Sequence, residues 1–128
     1  MILDTSALFA IFGDEPERRS FNEAIEAAEN RRMSVATYVE ISIVLEARHG
    51  AEGSRELDLF LDRAAIELVP VALEQARLPR RAWHRFRRGR DPAALNFGDC
   101  LAYAVARVAQ RPLLAKGQDF PQTDLELA

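Results

Sequence analysis

A chain of 128 residues has room for one well-buried core and not for two, so a single domain over residues 1–128 with one site assembled from distant segments is expected. With 48% hydrophobic and 29% charged residues the composition is ordinary for a globular protein, and no apolar run approaches the roughly 18–20 residues of a membrane span, so no membrane partner is expected. A net charge of −3 gives no global nucleic-acid signature, lone Cys100 excludes an internal disulfide and a cysteine zinc cluster, and MILDTSALFAIF lacks the positive start of a secretory signal, which together predict a cytoplasmic protein.

In chain order, MIL at 1–3 reads as a buried strand, followed by helical periodicity over about 5–12 and, past Gly13, about 15–30. MSVA at 33–36 is the second strand; helical patterns over about 37–49 and 53–64 flank a break at Gly50 to Gly53. IELVPV at 66–71, a helix over about 72–87, a break at GRDP, a helix over about 97–110 and the strand PLLA at 112–115 complete the run, with DLELA at the end as a weaker strand. Short apolar runs alternating with helices predict an α/β fold around a central, mostly parallel sheet of four to five strands. Ligands of such sheets bind beyond the carboxyl ends of the strands, so acids there carry the most information.

Four acids qualify. Asp4 follows the first strand and can cap the helix that begins at Thr5 or Ser6. TYVE at 37–40 matches a capping box, yet helical spacing puts Glu40 on one stripe with Ile43, Val44 and Ala47, the stripe expected to face the core. Asp99 has Ala102, Tyr103 and Ala106 as its helical neighbours, a small apolar face that directs it inward, and Asp119 lies in the loop KGQDF after the last strand. Two carboxylates about 4 Å apart repel by roughly 1 kcal/mol in water and roughly 4 at an effective dielectric near 20, so several packed together require a cation. All-oxygen ligands select Mg²⁺ or Mn²⁺ over zinc, and His49 and His84 stand isolated. Asn96 can cap its helix and orient a neighbouring carboxylate, while Ser6, one turn past Asp4, is a candidate donor to a bound water or phosphate.

The basic residues are unevenly spread. Arg77, Arg80, Arg81, Arg85, Arg87, Arg88 and Arg90 fall in a window without an acid, and Lys116 is the only lysine of the chain. Guanidinium forks suit phosphate oxygens, although a solvated helix face explains the run equally well.

MILDTSAL, ATYVEISIVLEARHG, PAALNFGDCLAYAVA and PLLAKGQDFPQTDL, in this order, resemble the PIN-domain ribonucleases, specifically the VapC toxins of bacterial type II toxin–antitoxin pairs. The resemblance runs from the first residue to about Leu125 and implies an α/β/α sandwich with an acidic pocket for one or two Mg²⁺ or Mn²⁺ ions, cleavage of an RNA substrate, a homodimer, and a cognate antitoxin whose tail occupies the active-site groove. It matches Asp4, Glu40 and Asp99 to the three core acids and Asp119 to the fourth, with KGQD where the family more commonly has Asn or Asp before that acid; Ser6 and Asn96 match supporting polar positions. Arg81, Arg85, Arg87, Arg88 and Arg90 would then follow the RNA backbone. Two other classes compete: a receiver-like phosphoacceptor domain using Asp4 and Lys116, and a module that binds RNA or a partner without cutting.

Overall fold

The computed structural model describes residues 1–73 and 76–128. The elements are β1 (Ile2–Leu3), α1 (Thr5–Phe12), α2 (Arg18–Ala27), β2 (Arg31–Ser34), α3 (Val35–Arg63), β3 (Ile66–Val69), α4 (Arg77–Phe86), α5 (Phe97–Ala109) and β4 (Leu113–Leu114), with a short 3₁₀ turn at Phe120–Gln122. The four strands form one parallel sheet in the order β3-β2-β1-β4. The chain adds strands in one direction from β1 and then returns to place β4 on the other side, so the order reverses between β1 and β4, where open parallel sheets form their binding crevice.

Period-two geometry divides the core into two layers. Ile2 and Leu113 pack on one face with Ala82, Phe86, Cys100, Tyr103 and Val105 of α4 and α5, while their neighbours Leu3 and Leu114 pack on the other with Leu8, Ile25, Ile41 and Leu57 of α1, α2 and α3. Both faces of β1 and β4 are therefore covered, as buried parallel strands require, and the result is the expected α/β/α sandwich.

Several boundaries differ from the periodicity reading, each for a local reason. β2 begins at Arg31 because its two arginines find partners: Arg31 donates to the carbonyls of Ala28 and Ala64, and Arg32 pairs at 2.7 Å with Glu67, its register partner on β3. The following helix begins at Val35, since the Ser34 hydroxyl accepts the Thr37 N–H at 2.9 Å, and Ser34 rather than Thr37 is the cap. The break expected at Gly50 is present: Gly50, at φ 61° and ψ −153°, is non-helical and kinks α3 into two helical halves, in a region only glycine enters at little cost. The helix expected over 15–30 forms over 18–27, and β3 stops before Pro70. DLELA contributes one parallel bridge, Leu127 to Leu113, so it shields the β4 edge without becoming a fifth strand. Of the helix expected over 72–87, residues 77–86 are helical; 74–75 lie outside the described residues.

Candidate active site

Asp4 sits where β1 ends, and its backbone N–H bonds Leu114 O of β4 at 3.0 Å, which fixes it at the point where the strand order reverses. Its side chain is 3% exposed. Oδ2 accepts both the Ser6 N–H at 2.9 Å and the Ser6 hydroxyl at 2.6 Å, so the cap reading holds. Ser6 Oγ in turn accepts the Lys116 N–H at 2.9 Å, which ties the loop after β4 to the first acid. The hydroxyl proton is thereby directed at Asp4, so that Ser6 orients this carboxylate. Burial raises the Asp4 pKa above its ordinary value against the Ser6 hydrogen bonds, and the charge of Glu40 raises it further.

Glu40 does not lie on the core stripe of α3. That stripe is Thr37, Ile41 and Leu45, while Ile43 and Ala47 are exposed, Val44 is only partly covered, and Glu40 itself is exposed. The expectation failed because the helix starts two residues earlier and its inner face is one position removed. Glu40 reaches instead across to α1, where Thr5 Oγ1 donates to Oε2 at 2.5 Å. Its carboxylate also lies against Gly98 at the start of α5, where an added Cβ would come within 2.8 Å of Oε2 and 2.9 Å of Oε1.

Asp99 and Asn96 form a reciprocal cap. Asn96 Oδ1 accepts the Asp99 N–H at 3.0 Å, and Asp99 Oδ2 accepts the Asn96 N–H at 2.8 Å. Ala102, Tyr103 and Ala106 are buried, as the spacing predicts, and this turns Asp99 toward the sheet end. Its pKa is pushed up to about 6, first by burial and then by the charges of Asp4, Asp119 and Glu40, against the pull of the Asn96 N–H. The charges of carboxylates from three other segments thus act on Asp99. Asp119, half-buried before the 3₁₀ turn, completes the group.

The donor chemistry fits a hard divalent cation. Every candidate ligand is a carboxylate oxygen; the nearby Cys100 thiol is pushed up to about 11 by burial and by Asp99 and stays protonated, and both histidines are exposed. Among the described residues no group of three or more acidic, His or Cys side chains is placed to hold a metal ion, so the acids interact at a distance without converging on one point. Lys116 is directed elsewhere, its ammonium 2.5 Å from Glu15 and 2.9 Å from Glu17. A receiver-like site needs that lysine beside Asp4, and here it is held away.

The arginine run divides. Arg77, Arg80, Arg81, His84 and Arg85 recur along one face of α4 and, with Arg90, line a cleft of about 840 Å³, opposite the buried Ala82 and Phe86. Arg85 also reaches Asp124 at 3.1 Å. Arg87 and Arg88 follow the helix and are not among these lining residues; Arg87 donates to the His84 carbonyl. Thr5, Gly98 and the Lys116 N–H are site components that the sequence reading missed. A glycine in the first turn of a helix was the one visible sign, since glycine is a poor helix former there.

The PIN domain family model matches residues 1–126. The chain belongs to the PIN-domain family. Two relatives of this PIN domain are ribonuclease VapC30 of Mycobacterium tuberculosis, 49% identical over 98% of this chain and 95% of the relative, and ribonuclease VapC of Mycolicibacterium smegmatis, 48% identical over 98% and 97%. Among solved structures, VapC20 of Mycobacterium tuberculosis, a sarcin–ricin loop cleaving toxin, superposes with a TM-score of 0.76 at 18% identity over 99% of this chain and 97% of its own. VapBC2 from Rickettsia felis, bound to a promoter DNA fragment, gives 0.75 at 16% identity over 99% and 96%. At such identities the structures speak for the PIN fold alone.

Proposed function

We infer that this PIN domain is a metal-dependent endoribonuclease, the toxin of a toxin–antitoxin pair restrained by a cognate antitoxin. The observation that supports the chemistry is that Asp99 feels the charges of Asp4, Asp119 and Glu40, and Asp4 that of Glu40, with Asp4 at the end of β1 where the strand order reverses. Near-half identity to VapC ribonucleases over almost the whole chain supports the reaction class and the toxin role.

Asp4 and Asp99 would be the main ligands of a divalent cation, Mg²⁺ or Mn²⁺, and Glu40 and Asp119 would complete the site or orient the attacking water. When bound, such an ion lowers the pKa of water and offsets charge at the phosphorus in an in-line displacement of the 3′ oxygen. The chain's own part is to hold the acids rigid: Ser6 and the β4 backbone fix Asp4, Asn96 fixes Asp99, and Thr5 holds Glu40. Among the arginines Arg81, Arg85, Arg87, Arg88 and Arg90, three line the α4 cleft, which adds Arg77, Arg80 and His84 as contacts for the RNA backbone.

One domain over residues 1–128, homodimerisation through the exposed apolar side of α3, and a cytoplasmic setting belong to the same reading. No helix among the described residues is long and apolar enough to cross a membrane. The test is cleavage of total RNA by purified protein with Mg²⁺ or Mn²⁺ and with EDTA, beside Asp4→Asn and Asp99→Asn variants. Divalent-dependent cutting that both substitutions abolish is expected; cutting by the double variant, or RNA binding without turnover by the parent, overturns the assignment.

A further inference from the structure

We propose that Gly98 and Thr5 are positioning residues that jointly seat the Glu40 carboxylate, Gly98 by lacking a side chain and Thr5 by donating its hydroxyl. This rests on the reading of Glu40 as part of a metal-dependent site. Unlike Asp4 and Asp99, Glu40 is exposed, belongs to no capping box and ends a long flexible side chain, so packing along its own helix does not fix it.

Two contacts from other elements do. Thr5, the first residue of α1 and the neighbour of Asp4, donates to Oε2 at 2.5 Å. On the other side a Cβ at position 98 would lie 2.8 Å from Oε2 and 2.9 Å from Oε1, closer than such atoms approach, and a tight 3.2 Å from Cδ. Nothing in α5 itself asks for glycine there. Gly98 is not among the positive-φ glycines, it lies inside the first helical turn, and alanine forms helix more readily. The atoms that an alanine methyl would meet are the far end of a mobile side chain, so the carboxylate must move while the helix stays. Glycine at 98 is therefore explained by the acid it faces, and the pair ties Glu40 to the two segments that carry Asp4 and Asp99.

The experiment compares the parent with Gly98→Ala, Thr5→Val, Glu40→Gln and the Gly98→Ala/Glu40→Gln double variant. Mn²⁺ binding is measured by calorimetry, RNA cleavage by kcat and KM, and folding by thermal melts. Gly98→Ala should melt no lower than the parent yet lose about tenfold or more in Mn²⁺ affinity and in kcat, with KM for RNA little changed. In the Glu40→Gln background the glycine substitution should add nothing further. Thr5→Val, which removes the donor without adding bulk, should lose affinity and kcat in the same direction and serves as the second variant if Gly98→Ala misfolds. Parent-like Mn²⁺ affinity and kcat in both single variants, or fully additive losses in the double variant, overturn the proposal. A parent that neither binds Mn²⁺ nor cuts RNA overturns the underlying reading of the site, and this proposal with it.

Discussion

Replacing Asp99 with asparagine should stabilise the protein while destroying its activity. The carboxyl stands at about 6 against an ordinary 3.8, raised first by burial and then by Asp4, Asp119 and Glu40. A rise of about two units corresponds to ~3 kcal/mol, and screening of a partly open side chain reduces this to on the order of 1.5 kcal/mol. Because the folded-state pKa is raised, the unfolded chain loses its proton first. Stability from this group is full below about pH 3.8, falls as the pH rises through about 6, and at pH 7.5 the penalty is complete. Asparagine keeps an oxygen to accept the Asn96 N–H, so the cap survives. The opposing loss of a negative charge in the first turn of α5 is about 0.5 kcal/mol and does not reverse the sign. Thermal unfolding of Asp99→Asn in EDTA at pH 7.5 should therefore run about 3–6 °C above the parent, and this gap should close as the pH falls below about 3.8, where the carboxyl is protonated in both folded and unfolded chains. A variant that melts at or below the parent at pH 7.5 would refute the account of an Asp99 carboxylate disfavoured by burial and by its acidic neighbours.

Ser6→Ala removes the shorter of two hydrogen bonds to Asp4 and leaves the Lys116 N–H without its acceptor, so a stability loss of about 1–2 kcal/mol is expected together with a fall in kcat of about tenfold or more. Parent-like kcat in that variant would show that Asp4 needs no such anchor. On the α4 face, Arg80→Ala and Arg81→Ala should each lower the slope of log binding constant against log salt by about 1, uniformly across RNA sequences. Filter binding with an Asp4→Asn background reads this directly, and a sequence-selective loss would mean that these side chains contact bases.

How much of this was visible in the residues depended on whether a feature was local. Strand and helix order and the inward apolar face beside Asp99 follow from short-range periodicity, and both appear in the fold, whereas the α/β/α sandwich with its two core layers came from the family resemblance. Glu40 shows where that reasoning stops. TYVE satisfies the capping pattern, but Ser34 forms the same bond one turn earlier, and only the folded chain decides between two good caps. The start of β2 is hidden for a related reason: Arg31 and Arg32 look wrong for an inner strand until Ala64 and Glu67, more than thirty residues away, supply their acceptors. Contacts of that range, such as Thr5 to Glu40 or Ser6 to Lys116, leave no periodic trace.

α3 carries a second apolar stripe that the described residues leave largely exposed. Thr37, Ile41 and Leu45 face the core, while Val35, Val39 and Ile43, offset from them by two positions and so by roughly half a turn, face outward with Ile43 64% exposed. Phe97, at 78% exposure, and Leu101 line the same groove from α5. Such a contiguous apolar surface marks an interaction site, and a self-complementary pairing of two copies is the arrangement a homodimer requires. Ile43→Glu places a charge at its most exposed point. The substitution leaves the core stripe untouched, so the melting curve of the isolated chain should barely move, while the loss of buried apolar area and the cost of desolvating a carboxylate, together about 3 kcal/mol, should weaken pairing by about a hundredfold. Light scattering coupled to size exclusion at micromolar concentration reads the outcome: a dimeric parent with a monomeric Ile43→Glu supports this face as the interface. A variant that still runs as a dimer moves the interface elsewhere, and a monomeric parent removes the homodimer altogether.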